Sequence, residues 1–282
     1  LICGDVGFGK TEVALRGAFN VAMSGAQVAF IVPTTLLCSQ HYENFTKRFK
    51  NFPLKVDQIS RLNSAPENNK IIERINSGES DVVVGTHALL NSKIKFKKLG
   101  MLIIDEEQHF GVSQKEKIKS LRSNVHVLAL TATPIPRTLQ MSLVGLRDLS
   151  IISTAPLNRQ NINTEVIDFN DEKIISAIEY ELSRNGQVYY VCPRINELKE
   201  VEDFLKRKLP NVKYQIAHGQ MPSKNLKNTM IDFYNNEFQL LLCTTIVESG
   251  LDLQKTNTMI IHNSDKFGLS QLYQLRGRIG RS

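Results

Sequence analysis

Eight residues near the start of the chain have the types and spacing that bind a triphosphate. They fit the pattern Gly-x-x-x-x-Gly-Lys-Ser/Thr and are Gly4, Asp5, Val6, Gly7, Phe8, Gly9, Lys10 and Thr11. Glycines let backbone N–H groups turn toward phosphate oxygens, and a helix beginning at the loop adds partial positive charge. The lysine would reach the β- and γ-phosphates, and the threonine hydroxyl would help to hold Mg²⁺. The segment therefore predicts a site for ATP and Mg²⁺.

A second group of polar residues follows an apolar stretch in the first half of the chain. Residues 101–104 read Met-Leu-Ile-Ile, and Asp105, Glu106, Glu107 and Gln108 come next. Ligands of open α/β sheets bind at the carboxyl ends of the strands, so these side chains are expected beside the phosphate loop. Asp105 would hold Mg²⁺, and Glu106 would orient and deprotonate the attacking water. A phosphate-loop kinase would share this architecture.

An arginine-rich segment near the end of the chain could complete the site from a distance. Residues 274–281 read Gln-Leu-Arg-Gly-Arg-Ile-Gly-Arg. Because the arginines alternate with glycines, we do not expect a simple solvated helix face. Arg278 and Arg281 would supply guanidinium charge to the phosphoryl group that is transferred. The alternative is an arginine-rich tail that binds nucleic acid.

The composition fits a globular protein with a polyanionic partner. Of the 282 residues, 41% are hydrophobic and 22% are charged, and the net charge of +7 favours a phosphate-rich ligand. No apolar run approaches the roughly 18 residues of a membrane span, and no secretion signal is evident. We therefore expect a cytoplasmic protein with no membrane partner. The lack of an initiating methionine indicates a piece of a longer protein.

Short apolar strands alternate with helices along the whole chain. In the first half, strands are predicted at residues 27–32, 55–60, 81–85, 101–104 and 125–130. In the second half, they are predicted at residues 163–168, 187–191, 213–216, 240–243 and 258–262. Several of these strands are apolar on both faces, which is typical of parallel sheets covered by helices on both sides.

The alternation breaks at residues 153–160, whose Ser-Thr-Ala-Pro-Leu-Asn-Arg-Gln sequence is typical of a linker. We therefore predict an α/β fold with two tandem RecA-like parallel-sheet domains of the P-loop NTPase type. Their predicted bounds are 1–153 and 163–282, with the linker at 154–162. The sheet of the second domain is expected to be truncated, because the chain stops directly after the arginine-rich segment.

Seven segments together resemble the motifs of helicase superfamily 2, in order and at the usual spacings. They are residues 4–11, 33–35, 85–87, 105–108, 131–134, 244–252 and 274–281. The Thr-Ala-Thr-Pro-Ile-Pro-Arg-Thr-Leu segment at 131–139 is shared by two groups, the transcription-repair coupling factors and the RecG-type fork-reversal helicases. Residues 4–15, 110–112, 115–117, 141–152 and 218–221 resemble the coupling factors more. His109 departs from that pattern, in which an arginine is expected.

The resemblance implies an ATP-driven translocase that moves along double-stranded DNA without separating the strands. In the coupling factors this motor displaces stalled RNA polymerase and recruits excision-repair proteins, through modules that would lie outside these residues. The resemblance also implies nucleotide contacts by Gln108, Asp252 and Gln274, and Asp252 could pair instead with an arginine.

The resemblance further implies that nucleic acid crosses loops of both halves. Hydroxyls and backbone N–H groups in these loops suit sequence-independent phosphate contacts, although each loop could also simply form a turn. The candidate residues are Thr34, Thr35, Thr86, His87, His218, Gly219, Thr244 and Thr245. The lysine-rich residues 93–98 are interpreted as a solvated edge strand rather than a base-stacking surface.

Three other functions remain open: RecG-type fork reversal, RNA unwinding, and a module that binds nucleotide and DNA without turnover. The first two differ from the translocase in the nucleic acid that should stimulate ATP hydrolysis, and the third would release no phosphate. The histidines have no metal-binding spacing, and His41, His126 and His262 are interpreted as structural or surface groups.

Overall fold

A computed structural model describes residues 1–61, 63–107, 110–120, 125–131, 148–154, 162–245 and 256–280 of the chain. The chain divides into two compact units, Leu1–Ala155 and Pro156–Ser282. Each unit contains its own parallel sheet, so the predicted α/β class is confirmed. The predicted linker at 154–162 lies almost wholly outside the described residues.

Seven strands form one sheet in the described part of the first unit. They are β1 (Ile2–Gly4), β2 (Gln27–Ile31), β3 (Val56–Ile59), β4 (Val82–Gly85), β5 (Leu99–Asp105), β6 (His126–Thr131) and β7 (Ser150–Ile152). Their order is β3-β4-β2-β5-β6-β1-β7, and neighbouring strands are parallel. The carboxyl ends of β5, β6 and β1 therefore lie side by side.

Helices pack against this sheet through two separate clusters of buried residues. The helices are α1 (Lys10–Met23), α2 (Thr35–Phe49), α3 (Ala65–Ser77) and α4 (Val112–Ser120). Leu15 of α1 and Phe45 of α2 lie in one cluster, and Ile75 of α3 and Ile118 of α4 lie in the other. Alternate residues of β2 enter different clusters, as expected for a strand covered on both faces.

The second unit has a four-stranded parallel sheet in its described residues, in the order β11-β8-β10-β9. Its strands are β8 (Gln187–Val191), β9 (Tyr214–Ala217), β10 (Leu240–Cys243) and β11 (Thr256–Ile261). Its helices are α5 (Asp171–Ser183), α6 (Ile195–Lys208), α7 (Ser223–Tyr234) and α8 (Leu269–Arg276). None of the helices described in either unit has the length and apolar character needed to cross a bilayer.

The two units repeat one local design around a central strand. Gln27 begins β2 and Gln187 begins β8, and both are buried. Each amide nitrogen donates to two backbone carbonyls near the end of a neighbouring helix. The strands then lead through Pro33 and Pro193 into α2 and α6, and the strand order β3-β4-β2-β5 corresponds to β9-β10-β8-β11. An offset of 160 residues, set by the two glutamines, therefore relates β2 and α2 to β8 and α6.

Two strand predictions are wrong. Residues 162–170, which include the predicted strand at 163–168, form no strand, and the side chain of Val166 is 88% exposed. A strand needs a neighbour for its backbone hydrogen bonds, and no described strand pairs with this segment. Residues 93–98 are not an edge strand either. The carbonyl of Lys93 and the N–H of Lys95 bind the side-chain amide of Asn76 instead of a strand.

Candidate nucleotide site and nucleic-acid contacts

The loop between β1 and α1 has the backbone conformation of a phosphate-binding loop. Gly7 (φ 81°) and Gly9 (φ 85°) are both left-handed, a conformation that glycine adopts at little cost. Gly9 is the N-cap residue of α1, so the positive end of the helix faces the loop. The N–H of Phe8 donates to the carbonyl of Asp5 at 3.1 Å, and the Asp5 carboxylate accepts from the N–H of Val6 at 2.7 Å. These bonds hold the loop in a tight turn.

Gly4 is explained by close packing against a neighbouring strand rather than by the conformation of the loop. A Cβ at this position would lie 3.1 Å from the Cβ of Ile152, on the neighbouring strand β7. Close strand contact therefore accounts for the first glycine of the predicted motif, and left-handed backbone accounts for the later two.

Lys10 connects the loop to the acidic end of the sheet. Its ammonium donates to the carbonyl of Gly4 at 2.7 Å and to that of Asp5 at 2.9 Å. Burial lowers the pKa of Lys10, and the carboxylates of Glu106 and Asp105 oppose this shift. The predicted phosphate-binding lysine and the two predicted acids are therefore close enough to interact.

Strand register explains how these residues come together. Asp105 at the end of β5 pairs with Leu130 of β6, and Thr131 at the end of β6 pairs with Cys3 of β1. Strand β6 thus lies between the acids and the phosphate loop, and the buried Thr131 lies at their junction. The other residues of the motif at 131–134 lie outside the described part of the chain.

Glu106 has an unusual backbone. It follows β5 directly, its φ is 49°, and its N–H donates to the carbonyl of Leu130 at 3.1 Å. A left-handed conformation is uncommon for a residue with a long side chain, and such outliers concentrate at functional sites. The side chain is held at the sheet edge and is nearly buried, which suits the predicted general base.

The donor atoms at this edge fit Mg²⁺. Thr11 offers a hydroxyl and Asp105 a carboxylate, and oxygen ligands are those that Mg²⁺ prefers. No group of three or more His, Cys, Asp and Glu that could hold a metal occurs among the described residues. Few protein ligands are the usual situation for a Mg²⁺ ion that is also bound by substrate phosphates.

His41 was missed by the sequence analysis as a site residue. It lies on α2 and is 4% exposed, and its Nε2 is 3.4 Å from Oδ2 of Asp105. Its ring also packs on Phe30, with 4.7 Å between the ring centroids. The interpretation of His41 as a group without a role at the site is therefore incomplete.

In the second unit, the arginine-rich segment begins as a helix, but it is not a solvated helix face, because Gln274 is buried. Helix α8 includes Gln274 and Arg276, and the guanidinium of Arg276 lies 4.8 Å from the ring centroid of Tyr273. Arg278 follows the helix and is only 4% exposed, so it is not part of a solvated tail. Three other predicted nucleotide contacts, Gln108, Asp252 and Arg281, lie outside the described residues.

The predicted nucleic-acid residues of the first unit lie after neighbouring strands. Thr34 and Thr35 follow β2, and Thr86 and His87 follow β4. The hydroxyls of Thr34 and Thr86 cap the following helical turns by accepting backbone N–H groups. These two hydroxyls therefore have a structural role, as expected if the loops simply form turns.

Arg61 is a further candidate at this edge that the sequence analysis missed. It follows β3, which neighbours β4, and its guanidinium is 3.0 Å from Nε2 of His87. Burial lowers the pKa of His87, and the nearby charge of Arg61 lowers it further. The exposed guanidinium of Arg61 places a positive charge after these strands.

The predicted nucleic-acid residues of the second unit also follow neighbouring strands of their own sheet. His218 and Gly219 come after β9, and Thr244 and Thr245 come after its neighbour β10. The N–H of Met221 donates to the carbonyl of His218, which makes this loop a turn. The repeat thus brings the candidate residues of each unit to the same edge of their own sheet.

The chain is similar to known helicases over both units. DEAD/DEAH box helicases match residues 1–142, and the helicase conserved C-terminal domain matches residues 171–282. The transcription-repair-coupling factor of Staphylococcus epidermidis is 52% identical over 282 residues, and that of Rickettsia typhi is 55% identical over 285 residues. Both matches cover the whole of this chain, but the chain spans only about a quarter of the length of these curated relatives.

Solved structures give the same fold. A RecG bound to a three-way DNA junction superposes with a TM-score of 0.80 and 33% identity, over 100% of this chain and 38% of that one. Saccharomyces cerevisiae Dbp5 bound to RNA and ADP BeF3 gives a TM-score of 0.73 over 99% of this chain and 76% of that one, at 14% identity, which shows the fold alone. The predicted tandem RecA-like domains, and the resemblance to superfamily 2 and the coupling factors, are confirmed.

Proposed function

Because this chain belongs to the DEAD/DEAH box helicases, we propose that it is an ATP-driven motor that moves along double-stranded DNA. The observation that carries the proposal is the continuous match, at more than half identity over all 282 residues, to proteins named transcription-repair-coupling factors. We propose that the chain is the motor part of such a factor. Its translocation would displace stalled RNA polymerase in the cytoplasm. Binding of RNA polymerase and of excision-repair proteins is assigned to the remaining three quarters of such a factor.

The phosphate loop would hold ATP through its backbone N–H groups. Lys10 would exchange its two carbonyl partners for oxygens of the β- and γ-phosphates, which supply stronger, charge-assisted hydrogen bonds. Thr11 and Asp105 would hold Mg²⁺, which when bound neutralises charge on the phosphates. Gln108, Asp252 and Gln274 are further proposed nucleotide contacts.

Glu106 would act on water. It follows the end of β5, and its carboxylate is close enough to Lys10 to affect the pKa of that lysine; from there it would orient a water molecule and accept its proton. Arg278 and Arg281 would approach the transferred phosphoryl group when the two units close on ATP. Loss of the γ-phosphate would remove these contacts and let the units reopen.

DNA contacts would couple this cycle to movement. Residues Thr34, Thr35, Thr86 and His87 of the first unit would hold the phosphate backbone, and residues His218, Gly219, Thr244 and Thr245 of the second unit would do the same. We add Arg61 to the first group, because its guanidinium beside His87 provides charge that phosphate oxygens bind. Alternation of the two groups with closure would move the protein along DNA.

A second candidate is fork reversal, favoured by the structural match to a RecG bound to a DNA junction. ATP hydrolysis measured with linear duplex, forked DNA and RNA separates the candidates. We expect linear duplex to stimulate the wild type, and Glu106→Gln to bind ATP without releasing phosphate. Stimulation by forks alone would support RecG-type activity, and binding without turnover in the wild type would refute the motor.

A further inference from the structure

His41 contacts an acid of the proposed ATP site from inside the protein. Its Nε2 lies 3.4 Å from Oδ2 of Asp105, and the side chains are only 6% and 14% exposed. This separation exceeds a good N–H···O distance of roughly 2.7–3.2 Å, and neither ring nitrogen has a hydrogen-bond partner among the described residues. A small rotation of the carboxylate would complete the bond, because hydrogen bonds at catalytic sites often shorten when ligands bind.

The internal repeat shows that this position does not require a histidine for packing. The 160-residue offset relates His41 to Val201, which lies on the equivalent helix α6 and is equally buried. The flanking core positions agree, because Phe45 corresponds to Leu205 and both are buried. A hydrophobic side chain therefore fills this place in the second unit. In the first unit the same place holds an imidazole, whose burial without hydrogen bonds is unfavourable.

The position of Asp105 can be compared between the two units in the same way. Ile104 pairs with Ile31 and Ile261 pairs with Val191, so Asp105 corresponds to His262. The second unit has a different buried acid nearby, Glu197 of α6, at the position that corresponds to Leu37; it accepts from Asn263 at 2.8 Å and from Lys266 at 3.1 Å. The carboxylate of Glu197 therefore forms an ion pair with Lys266. Of the two equivalent strand-end positions, Asp105 and His262, only Asp105 is a carboxylate, and it lies at the end of the sheet that carries the phosphate loop.

We infer that His41 is a positioning residue that holds the Asp105 carboxylate for Mg²⁺ by donating from Nε2 to Oδ2. The inference rests on the proposed function, because it assumes that Asp105 is a metal ligand. A bond at one oxygen leaves the other oxygen and its lone pairs for the cation. Packing on Phe30 fixes the ring, so the donor is in place before the metal binds. Hydrogen-bond partners of metal ligands typically change metal affinity by about 10–100-fold.

Two variants of His41 separate donation from packing. His41→Leu removes the donor but keeps a hydrophobic side chain, which the equivalent Val201 shows to be compatible with the fold. His41→Gln restores an N–H donor near the position of Nε2. His126→Gln, an exposed position at the far end of β6, is the matched control.

The measurement is binding of Mn²⁺ to the complex with a non-hydrolysable ATP analogue, followed by electron paramagnetic resonance. We expect His41→Leu to weaken Mn²⁺ binding about 10–100-fold and His41→Gln to recover most of it. Analogue affinity in EDTA and the melting temperature should not fall in either variant. Wild-type Mn²⁺ affinity in His41→Leu, or equal losses in both variants, would overturn the inference.

The result can be told apart from failure of the proposed function. If the wild type shows duplex-stimulated ATP hydrolysis and His41→Leu binds Mn²⁺ normally, the positioning role is wrong and the motor stands. If the wild type shows no such hydrolysis while Mn²⁺ binding depends on the residue at position 41, the motor proposal fails and the positioning role stands.

Discussion

The left-handed backbone at Glu106 predicts that glycine is more stable than alanine at this position, the reverse of the usual order. In ordinary helical structure, alanine is more stable than glycine by about 1 kcal/mol. At φ 49° the order should reverse, because the left-handed conformation costs a residue with a Cβ about 1–2 kcal/mol and glycine almost nothing. Glu106→Gly should therefore be more stable than Glu106→Ala by about 1–2 kcal/mol. Both variants lack the carboxylate, so its lost interactions cancel in the comparison.

Urea unfolding measures this difference. With a slope of about 2 kcal/mol per M, Glu106→Gly should unfold at a midpoint about 0.5–1 M above that of Glu106→Ala, at the same slope. Glu73 provides the control, because it is exposed on helix α3 of the same unit. There, Glu73→Gly should be less stable than Glu73→Ala by about 1 kcal/mol.

Phosphate release tests the assignment of Glu106 as the general base. Both Glu106 variants should lose about 10²–10⁴-fold in phosphate release, which is the usual contribution of a general base, while Glu73 variants keep wild-type turnover. An alanine variant at position 106 that is as stable as the glycine variant would refute the backbone argument. Normal turnover in either Glu106 variant would refute the assignment of the base.

The remaining predictions concern packing, DNA and pH. Gly186→Ala should destabilise the second unit by about 1–3 kcal/mol in thermal unfolding, because its Cβ would overlap Oε1 of the fully buried Glu181, whereas Gly111→Ala, with only Gln114 at 4.0 Å, should be neutral. Arg61→Ala should weaken duplex binding and reduce the slope of log affinity against log salt by about 1, unlike Arg16→Ala on α1; an unchanged slope would exclude a phosphate contact. Because the pKa of His87 is lowered on folding, its protonation opposes folding. Stability should thus fall as pH drops below 6.5, and His87→Gln should reduce that fall in urea titrations at pH 7.5 and 5.

Local chemistry accounts for what the sequence predicted well. The glycines at positions 7 and 9 suit the left-handed backbone there, and a run such as Leu-Ile-Ile-Asp is typical of a buried strand that ends in a carboxylate. The strand predicted at 163–168 failed for a different reason. The β-branched residues Thr164, Val166 and Ile167 favour an extended strand. Pairing also needs a neighbour elsewhere in the chain, which a local pattern does not contain.

The contact between His41 and Asp105 could not be predicted from local sequence patterns, because it depends on the order of the strands in the sheet. Nothing near His41 distinguishes it from a core residue, and its position on α2 faces Asp105 only because β5 lies beside β2 in the strand order. A comparison of the chain with itself would have given a signal. Aligning Gln27 with Gln187 sets His41 against Val201, and a polar residue at a hydrophobic core position of a repeat has a cost that packing does not explain. A buried polar residue that differs between two similar domains, and whose polar atoms lack hydrogen-bond partners among the described residues, is therefore a candidate for a role in ligand binding.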